Sequence, residues 1–340
     1  MSARATDDAD DAASAADAAG PAGSAGAVGT TTAGPAGKPG GNAQERSPEE
    51  LREHRRRGRV GMMLVVPGLL FAVAFFAVPV FSLLAMSLYT RPEGAAIGVY
   101  EPGLEFGTYA EVLSLYWEAF LRSFGFALIA TIAALLIGYP MAYLVAVRLR
   151  GKPLLQGLLL VLIIAPFFSS FILRTQSWRL ILSDEGVVVG FLKAVAILPE
   201  DGRLTATAFA VVCGLTYNFL PFMTLPIYAN LERMDLRLIE AGGDLYASPF
   251  ETFRKVTLPL SMPGVLAGTL LTFIPASGDY VNAVLLGNNQ NTTMIGQVID
   301  SRFFRAVDYP QASALSFVLM FAILILVTLY VRRFGTKELV

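Results

Sequence analysis

The side chain with most chemistry to offer is Asp279. It follows "FIPASG" (residues 273–278), where Pro275 and Gly278 weaken a helix just as a carboxylate arrives at the end of a long apolar stretch. An acid at the centre of a membrane helix costs about 2.5–3.5 kcal/mol on insertion scales, so it belongs in a wet or paired position facing a bundle interior. One chemistry for it is to receive a cation, with Tyr280 or Phe273 offering a π face. The plainer alternative is an ion pair with Arg302 or Arg305 near one membrane surface, or a seal at a subunit contact. Asn218, with Tyr217 beside it, is polar within another apolar window. It either lines the same path or hydrogen-bonds a neighbouring helix. Reactive chemistry has little material. Cys213 stands alone, and His54, the only histidine, lies in a charged arm. No nucleophile, base and orienting group come together in one cavity, which argues against an intramembrane enzyme, and no metal or other cofactor is expected.

The elements that position these groups are apolar. Of 340 residues, 54% are hydrophobic and 16% charged; with a mean hydropathy of +0.57 this is the balance of an integral membrane protein. Net charge is −1, so no overall field points to nucleic acid. Residues 1–47 are Ala, Gly, Asp, Ser, Thr and Pro with almost nothing large and apolar, the composition of a disordered tail. A basic arm follows over 48–60. Six windows then lack Asp, Glu, Lys and Arg: Val60–Thr90, Ser123–Val147, Pro153–Leu173, Leu204–Leu231, Val256–Gly278 and Tyr309–Val331. Each reaches the roughly 20 residues that cross a hydrocarbon core, and backbone in lipid must satisfy itself as helix. The expected fold is all-α, with six transmembrane helices in a domain over 61–335.

Orientation follows from the basic residues. With the N-terminus inside, 18 of the 26 Lys and Arg fall on the cytoplasmic side and 8 outside, in the segments 91–122, 174–203 and 287–308. Both termini are then cytoplasmic, in a multi-pass protein of the cell membrane. "EGVVVGFLKAVAIL" (185–198), broken by Lys193, reads as a helix lying along the outer surface. Pro140 and Pro166 mark kinks, and Gly264 and Gly268 form a small-residue face for close helix packing.

Between the fourth and fifth windows the chain interrupts itself with "DLRLIEAGGDLYASPFETFRKVTLPL" (235–260). Asp235 caps a helix running through Ala247, with Leu238, Gly242 and Leu245 on one small apolar face. Ser248-Pro249-Phe250-Glu251 is a second helix start, a capping box with proline at the first position. Pro259 ends or bends this second helix. Two helices and a hinge make a stiff foot. Residues 232–255 hold five acidic and four basic residues, a poor match for an anionic inner leaflet and a better one for a protein partner.

Glu240-Ala241-Gly242, followed at the matching distance by Leu258-Pro259, resembles the EAA loop of ABC importer permeases. There the loop reads Glu-Ala-Ala, three residues, Gly, nine residues, Ile, one residue, Leu-Pro. Here Gly242 replaces the second Ala, Tyr246 stands at the Gly position and Val256 replaces Ile. The stretches "RTQSWRLILSDEG", "FIPASGDYVNAVLLG" and "MIGQVI" are similar to permeases of the spermidine/putrescine import systems. The resemblance implies a type I permease whose loop over 232–259 is a coupling element seated on an ATPase, through Glu240, Ala241, Gly242, Asp244, Leu245, Tyr246, Leu258 and Pro259. In a transporter, the pathway reading of the polar residues within the apolar windows would put Asp279, Tyr280, Asn218 and Tyr217 along the solute's route, beside the structural alternatives given above. The resemblance also implies two separate ATP-binding subunits, a second homologous permease in a heterodimer and an extracytoplasmic solute-binding protein. This chain has no phosphate-binding Gly-rich loop, so ATP hydrolysis belongs to the partner. The rival readings are an ABC permease for iron, thiamine or phosphonate, and an ion-coupled secondary transporter, which co-purification with an ATPase would distinguish.

Overall fold

The structure, a computed structural model, describes residues 48–335; the expected tail over 1–47 and the last five residues lie outside the described part. The chain divides into two compact units at Val65 and Val66, and the described residues of the first form the start of one helix. Among the described residues the only β pairing is an isolated antiparallel bridge between Thr90 and Glu101. Everything else of regular structure is helical.

α1 (Pro48–Ser87) takes in the basic arm and the first apolar window. Among its described side chains many large ones, including Phe71, Phe75 and Phe76, are exposed, as suits a helix whose solvent is lipid or a neighbouring subunit. α2 (Gly107–Tyr143) continues through a π turn to Arg148, so 42 residues form one rod. At 1.5 Å per residue that is about 63 Å, twice the roughly 30 Å hydrocarbon core. The helix therefore begins well before the apolar window at Ser123, and much of the expected loop 91–122 is helix. Its charged end is held by partners. Arg122 donates from Nη1 to the Gln290 carbonyl (2.6 Å) and faces Glu118 one turn away (3.9 Å), while Gln311 donates to Glu111 (3.3 Å). Pro140 sits inside this rod without ending it.

The third window is bent where Pro166 leads a kink to be expected, and the bend is sharp. α3 (Pro153–Ile164) tightens into a 3₁₀ turn at Ala165–Phe168, stops at Ser169 and resumes as α4 (Phe171–Ile181) after a bend of 98°. Pro166 has no amide to donate, and the carbonyl of Pro166 is taken up by both the backbone N–H (3.2 Å) and the hydroxyl (2.9 Å) of Ser169. Five helices are thus long and apolar enough to cross a membrane, six if the bent pair counts as one span. The expected surface helix is present but shorter, α5 (Val187–Ala194).

α6 (Ala208–Glu232) starts at Thr207, whose hydroxyl accepts from the Ala210 amide (3.3 Å). The chain then forms α7 (Arg237–Asp244), α8 (Pro249–Thr252), a π turn at Phe253–Thr257 and α9 (Leu258–Ser277). After a break come a π turn at Ala283–Gly287, α10 (Ile295–Asp300) and α11 (Tyr309–Tyr330).

α2, α6 and α9 form the packed centre, with α11 against α2. Small residues make it possible. Ala127, Ala130, Ala134 and Ala142 of α2 are fully buried. On α9, a Cβ at Gly264 would stand 2.9 Å from the Pro226 carbonyl, and one at Gly268 2.9 Å from the Met223 carbonyl. Both glycines let the backbone of α9 lie directly on α6. Gly268→Ala should therefore lower the unfolding temperature of the detergent-solubilised chain, at a cost of about 1–3 kcal/mol for overpacking. Gly157→Ala, where a Cβ meets open space, should not lower it; equal effects of the two would refute the packing argument.

Candidate functional site

The foot between α6 and α9 is built by local rules. The Asp235 carboxylate accepts from the Arg237 amide (3.0 Å) at the start of α7. The helix ends at Asp244, three residues short of the expected Ala247, because Tyr246 turns left-handed (φ 56°). That turn lets the amides of Leu245, Tyr246 and Ala247 bond back to the carbonyls of Ala241 (3.2 Å), Gly243 (2.9 Å) and Gly242 (3.0 Å), the pattern of a Schellman-type stop. A side chain with a Cβ adopts this conformation at a cost of about 1–2 kcal/mol. The capping box forms as its sequence suggests. Ser248 Oγ accepts from the Glu251 amide (3.2 Å), the Ser248 amide donates to Glu251 Oε2 (3.4 Å), and Lys255 holds the other carboxylate oxygen (3.2 Å).

The expected outward face of Leu238, Gly242 and Leu245 is divided. Leu238 and Leu245 are exposed, but Gly242 faces into the foot, where a Cβ would lie 2.9 Å from both branches of Thr252. The glycine sets how closely α7 lies on α8. Glu240, Ala241 and Asp244 are exposed, and none of the described ion pairs involves the two acids. Leu258 is half-buried against the core at the start of α9, with Pro259 exposed beside it. Pro259 neither ends nor breaks the helix: it lies in the first turn of α9, directly after the π turn.

Phe253, which the sequence did not single out, ties the foot to the bundle. Its ring stands edge-on to Tyr139 (5.6 Å) and Tyr143 (6.2 Å) of α2. The Tyr139 hydroxyl in turn bonds Ser261 of α9 (2.7 Å). Beside these rings a cavity of about 290 Å³, lined by Arg148, Ile239, Ala247 and Thr252 among others, separates the rest of the foot from the end of α2.

At the other end of α9 lies the break expected around Asp279. Its side chain is 8% exposed and pairs with neither Arg302 nor Arg305. Instead Oδ1 accepts from the Asn282 amide (2.7 Å) and caps the helical turns over 281–287. Arg302 donates from Nε to the Tyr116 hydroxyl (2.9 Å). The Asn282 side chain reaches a fully buried polar knot. Asn218 Nδ2 donates to Thr175 Oγ1 (2.9 Å) and to Asn282 Oδ1 (3.1 Å), and Thr175 Oγ1 lies 3.4 Å from Asn282 Oδ1. Gly214 makes the room, since a Cβ there would stand 2.6 Å from Asn282 Oδ1. Asn218 Oδ1 and Asn282 Nδ2 have no protein partner, leaving one acceptor and one donor for a guest or a water.

Asp279 and Asn218 are thus linked through Asn282, whereas the two tyrosines lie elsewhere. Tyr217 packs edge-on to Trp178 (5.5 Å) and Tyr280 is 46% exposed. The sequence reading missed Asn282 and Thr175. Asn282 was findable, three residues after an acid at a helix break; Thr175 was not, because it stood in an assumed loop. The arrangement can bind and orient, but it holds no nucleophile with a base.

A family model described as binding-protein-dependent transport system inner membrane component matches residues 138–335. The chain belongs to that family. It is a multi-pass permease subunit of a transport system, and the matched region contains the foot, the break and the polar knot. The spermidine/putrescine transport system permease protein PotB of Escherichia coli K12 is 35% identical to this permease over 272 residues, 80% of this chain and 96% of PotB. PotB of Haemophilus influenzae is 36% identical over 261 residues, 76% and 89% of the two chains. Among solved structures, a chain of a bacterial ABC transporter that imports the acidic polysaccharide alginate superposes with a TM-score of 0.63 at 16% identity, covering 85% of this chain and 99% of that one. At that identity it speaks for the fold.

The contact between Gly242 and Thr252 makes a test of the foot's stiffness. Gly242→Leu should push α7 off α8 at a cost of about 1–3 kcal/mol, read as roughly tenfold or greater loss of hydrogen-exchange protection over 242–252. Gly243→Leu, placed in open space, should keep the parent's protection. Equal protection in both variants would show that the close approach does not hold the foot.

Proposed function

We propose that this permease carries a polyamine, of the spermidine/putrescine class, across the cytoplasmic membrane as one subunit of an ABC importer. The observation that carries the reading is the likeness to PotB along four-fifths of the chain. A buried carboxylate at a helix break supports it, because a cationic amine is the guest that offsets its desolvation. The partners in this reading are two ATP-binding subunits, a second homologous permease and an extracytoplasmic solute-binding protein. Both termini lie in the cytoplasm, which puts the foot on the side of ATP.

The mechanism follows from what joins the foot to the bundle. Closure of the ATP-binding subunits moves the foot, with Glu240, Ala241, Asp244 and Leu245 at the contact. Phe253, wedged on Tyr139 and Tyr143, passes that motion to α2, and the helix beginning at Pro249 passes it to α9. The helices then rock about a solute site formed by Asp279, Asn282 and Asn218, in the manner of alternating access.

Asp279→Asn decides the solute role. Asparagine caps a helix as well as aspartate does, so assembly and basal ATPase activity should match the parent. Uptake of labelled spermidine should fall at least tenfold, in keeping with about 1.5–3 kcal/mol for a hydrogen bond to a charged group. Loss of assembly would instead make Asp279 a structural cap only. For the foot, Glu240→Lys reconstituted with the partner subunits should lose ATPase association or solute-stimulated hydrolysis. For orientation, a cysteine at position 244 should react with an impermeant thiol reagent only after the membrane is opened, and labelling in intact cells would reverse the topology.

A further inference from the structure

The hinge of the foot carries a side chain with no employment inside this chain. The helix stop requires a left-handed residue at position 246, and glycine meets that need without strain. The loop pattern that this sequence resembles has glycine there. This chain has Tyr246, at φ 56°, with its ring 98% exposed. Among the described residues no hydrogen bond, ring contact or ion pair engages that side chain. The same hinge exposes Leu245 (81%) and Phe250 (70%), so three large apolar groups stand within six residues of one another. An aromatic held in a strained conformation with no intramolecular return points outward, to a partner.

We propose that Tyr246, flanked by Leu245 and Phe250, is the residue by which this permease selects its ATP-binding subunit, the ring entering an apolar cleft on that subunit. The inference rests on the reading of the foot as the coupling element and adds the determinant of partner choice. The charges around the patch choose between a protein and a lipid surface. Glu240 and Asp244, on the helix that leads into the patch, are exposed and enter none of the described ion pairs, while Glu251 is offset by Lys255. An anionic leaflet repels the two unpaired acids, whereas a cleft bordered by Lys or Arg attracts them. Tyrosine suits the task, since it offers a large rigid area with few rotamers to freeze. The ring's 98% exposure keeps it available to such a cleft.

The test uses the full chain in detergent with its co-expressed ATP-binding subunit, and reads binding affinity beside the unfolding temperature of the permease alone. Tyr246→Gly relieves the strain, so its unfolding temperature should equal or exceed the parent's while its affinity for the ATP-binding subunit falls at least tenfold. Tyr246→Ala keeps the backbone restriction and removes the ring, and should lose affinity to the same extent. Tyr246→Phe should bind within threefold of the parent, because the contact is apolar. If Ala binds like the parent and only Gly is weak, hinge stiffness and not the ring is what matters, and the proposal fails. If all three bind like the parent while Glu240→Lys does not, the foot still couples but Tyr246 plays no part. If Glu240→Lys also binds normally, the coupling reading itself is lost. Unchanged ATPase affinity with weaker attachment of the foot to phosphatidylglycerol vesicles would make the ring a membrane anchor and overturn the proposal.

Discussion

Inside a hydrocarbon slab no water replaces a lost backbone hydrogen bond, and the architecture of this permease is shaped by that constraint. A break in a membrane helix exposes amides and carbonyls that cost several kcal/mol each when nothing meets them. Wherever the chain stops being a straight helix, a side chain or a widened turn therefore takes up the loose ends. At the bend in the third span, Ser169 covers the Pro166 carbonyl twice. At the end of α9, Asp279 caps the amide of Asn282. Ahead of Pro259, which has no amide to give, the helix opens into a π turn at Phe253–Thr257. Ser169 and Asp279 are thus first of all repairs to the backbone, and in the proposed reading Asp279 takes a place in the solute path besides.

The same constraint explains why the foot differs in kind from the bundle. Its caps face water, so they need only be local, and they follow short sequence rules. Ser248 and Glu251 lock each other in place. Gly242 allows Thr252 to press on α7. What the foot lacks is a broad seat on the membrane helices, because a cavity separates much of it from α2. In the proposed reading the Phe253 ring, edge-on to Tyr139 and Tyr143, is the narrow bearing through which force reaches α2. Such a bearing suits a part that tilts, since a wide packed interface would resist rotation.

How much of this could be read from the sequence depended on how far apart the interacting residues lie. The apolar windows were legible because hydropathy is a property of each segment by itself. The capping box was legible because its partners are three residues apart. The start of α2 was not, since Glu111, Glu118 and Arg122 look like loop charges until Gln290 and Gln311 are seen beside them. The bend after Phe168 was hidden in an uninterrupted apolar run, where Pro166 announced a kink but not its size. Thr175 stayed invisible for the same reason at longer range, as its partners Asn218 and Asn282 are 43 and 107 residues away. Pairings of that length are set by the packing of α4 against α6, which no local pattern records. Tyr246 falls between these cases: its departure from the loop pattern was visible, but only the backbone shows that it takes up the left-handed conformation glycine would have supplied.

One element leads from the first candidate site to the edge of the second. Helical structure runs without a break from Pro249 in the foot to Ser277, 29 residues, or about 44 Å at 1.5 Å per residue. One end of that rod carries the capping box and Phe253, and the other ends two residues before Asp279. The rod meets α6 closely in its middle, at Gly264 and Gly268, so in the proposed reading a displacement at the foot reaches the far end as a tilt about that contact. Asp279 cannot follow such a tilt freely. Its carboxylate is tied to the Asn282 amide, and the Asn282 side chain is tied to α6 and α4 through Asn218 and Thr175. Tilting the rod therefore strains the Asp279 cap against the polar knot. A guest that hydrogen-bonds the carboxylate, or meets the unpartnered Asn218 oxygen, shifts the balance between those ties. In the proposed reading this is the physical link between solute and ATP: both act on the same rod, from opposite ends.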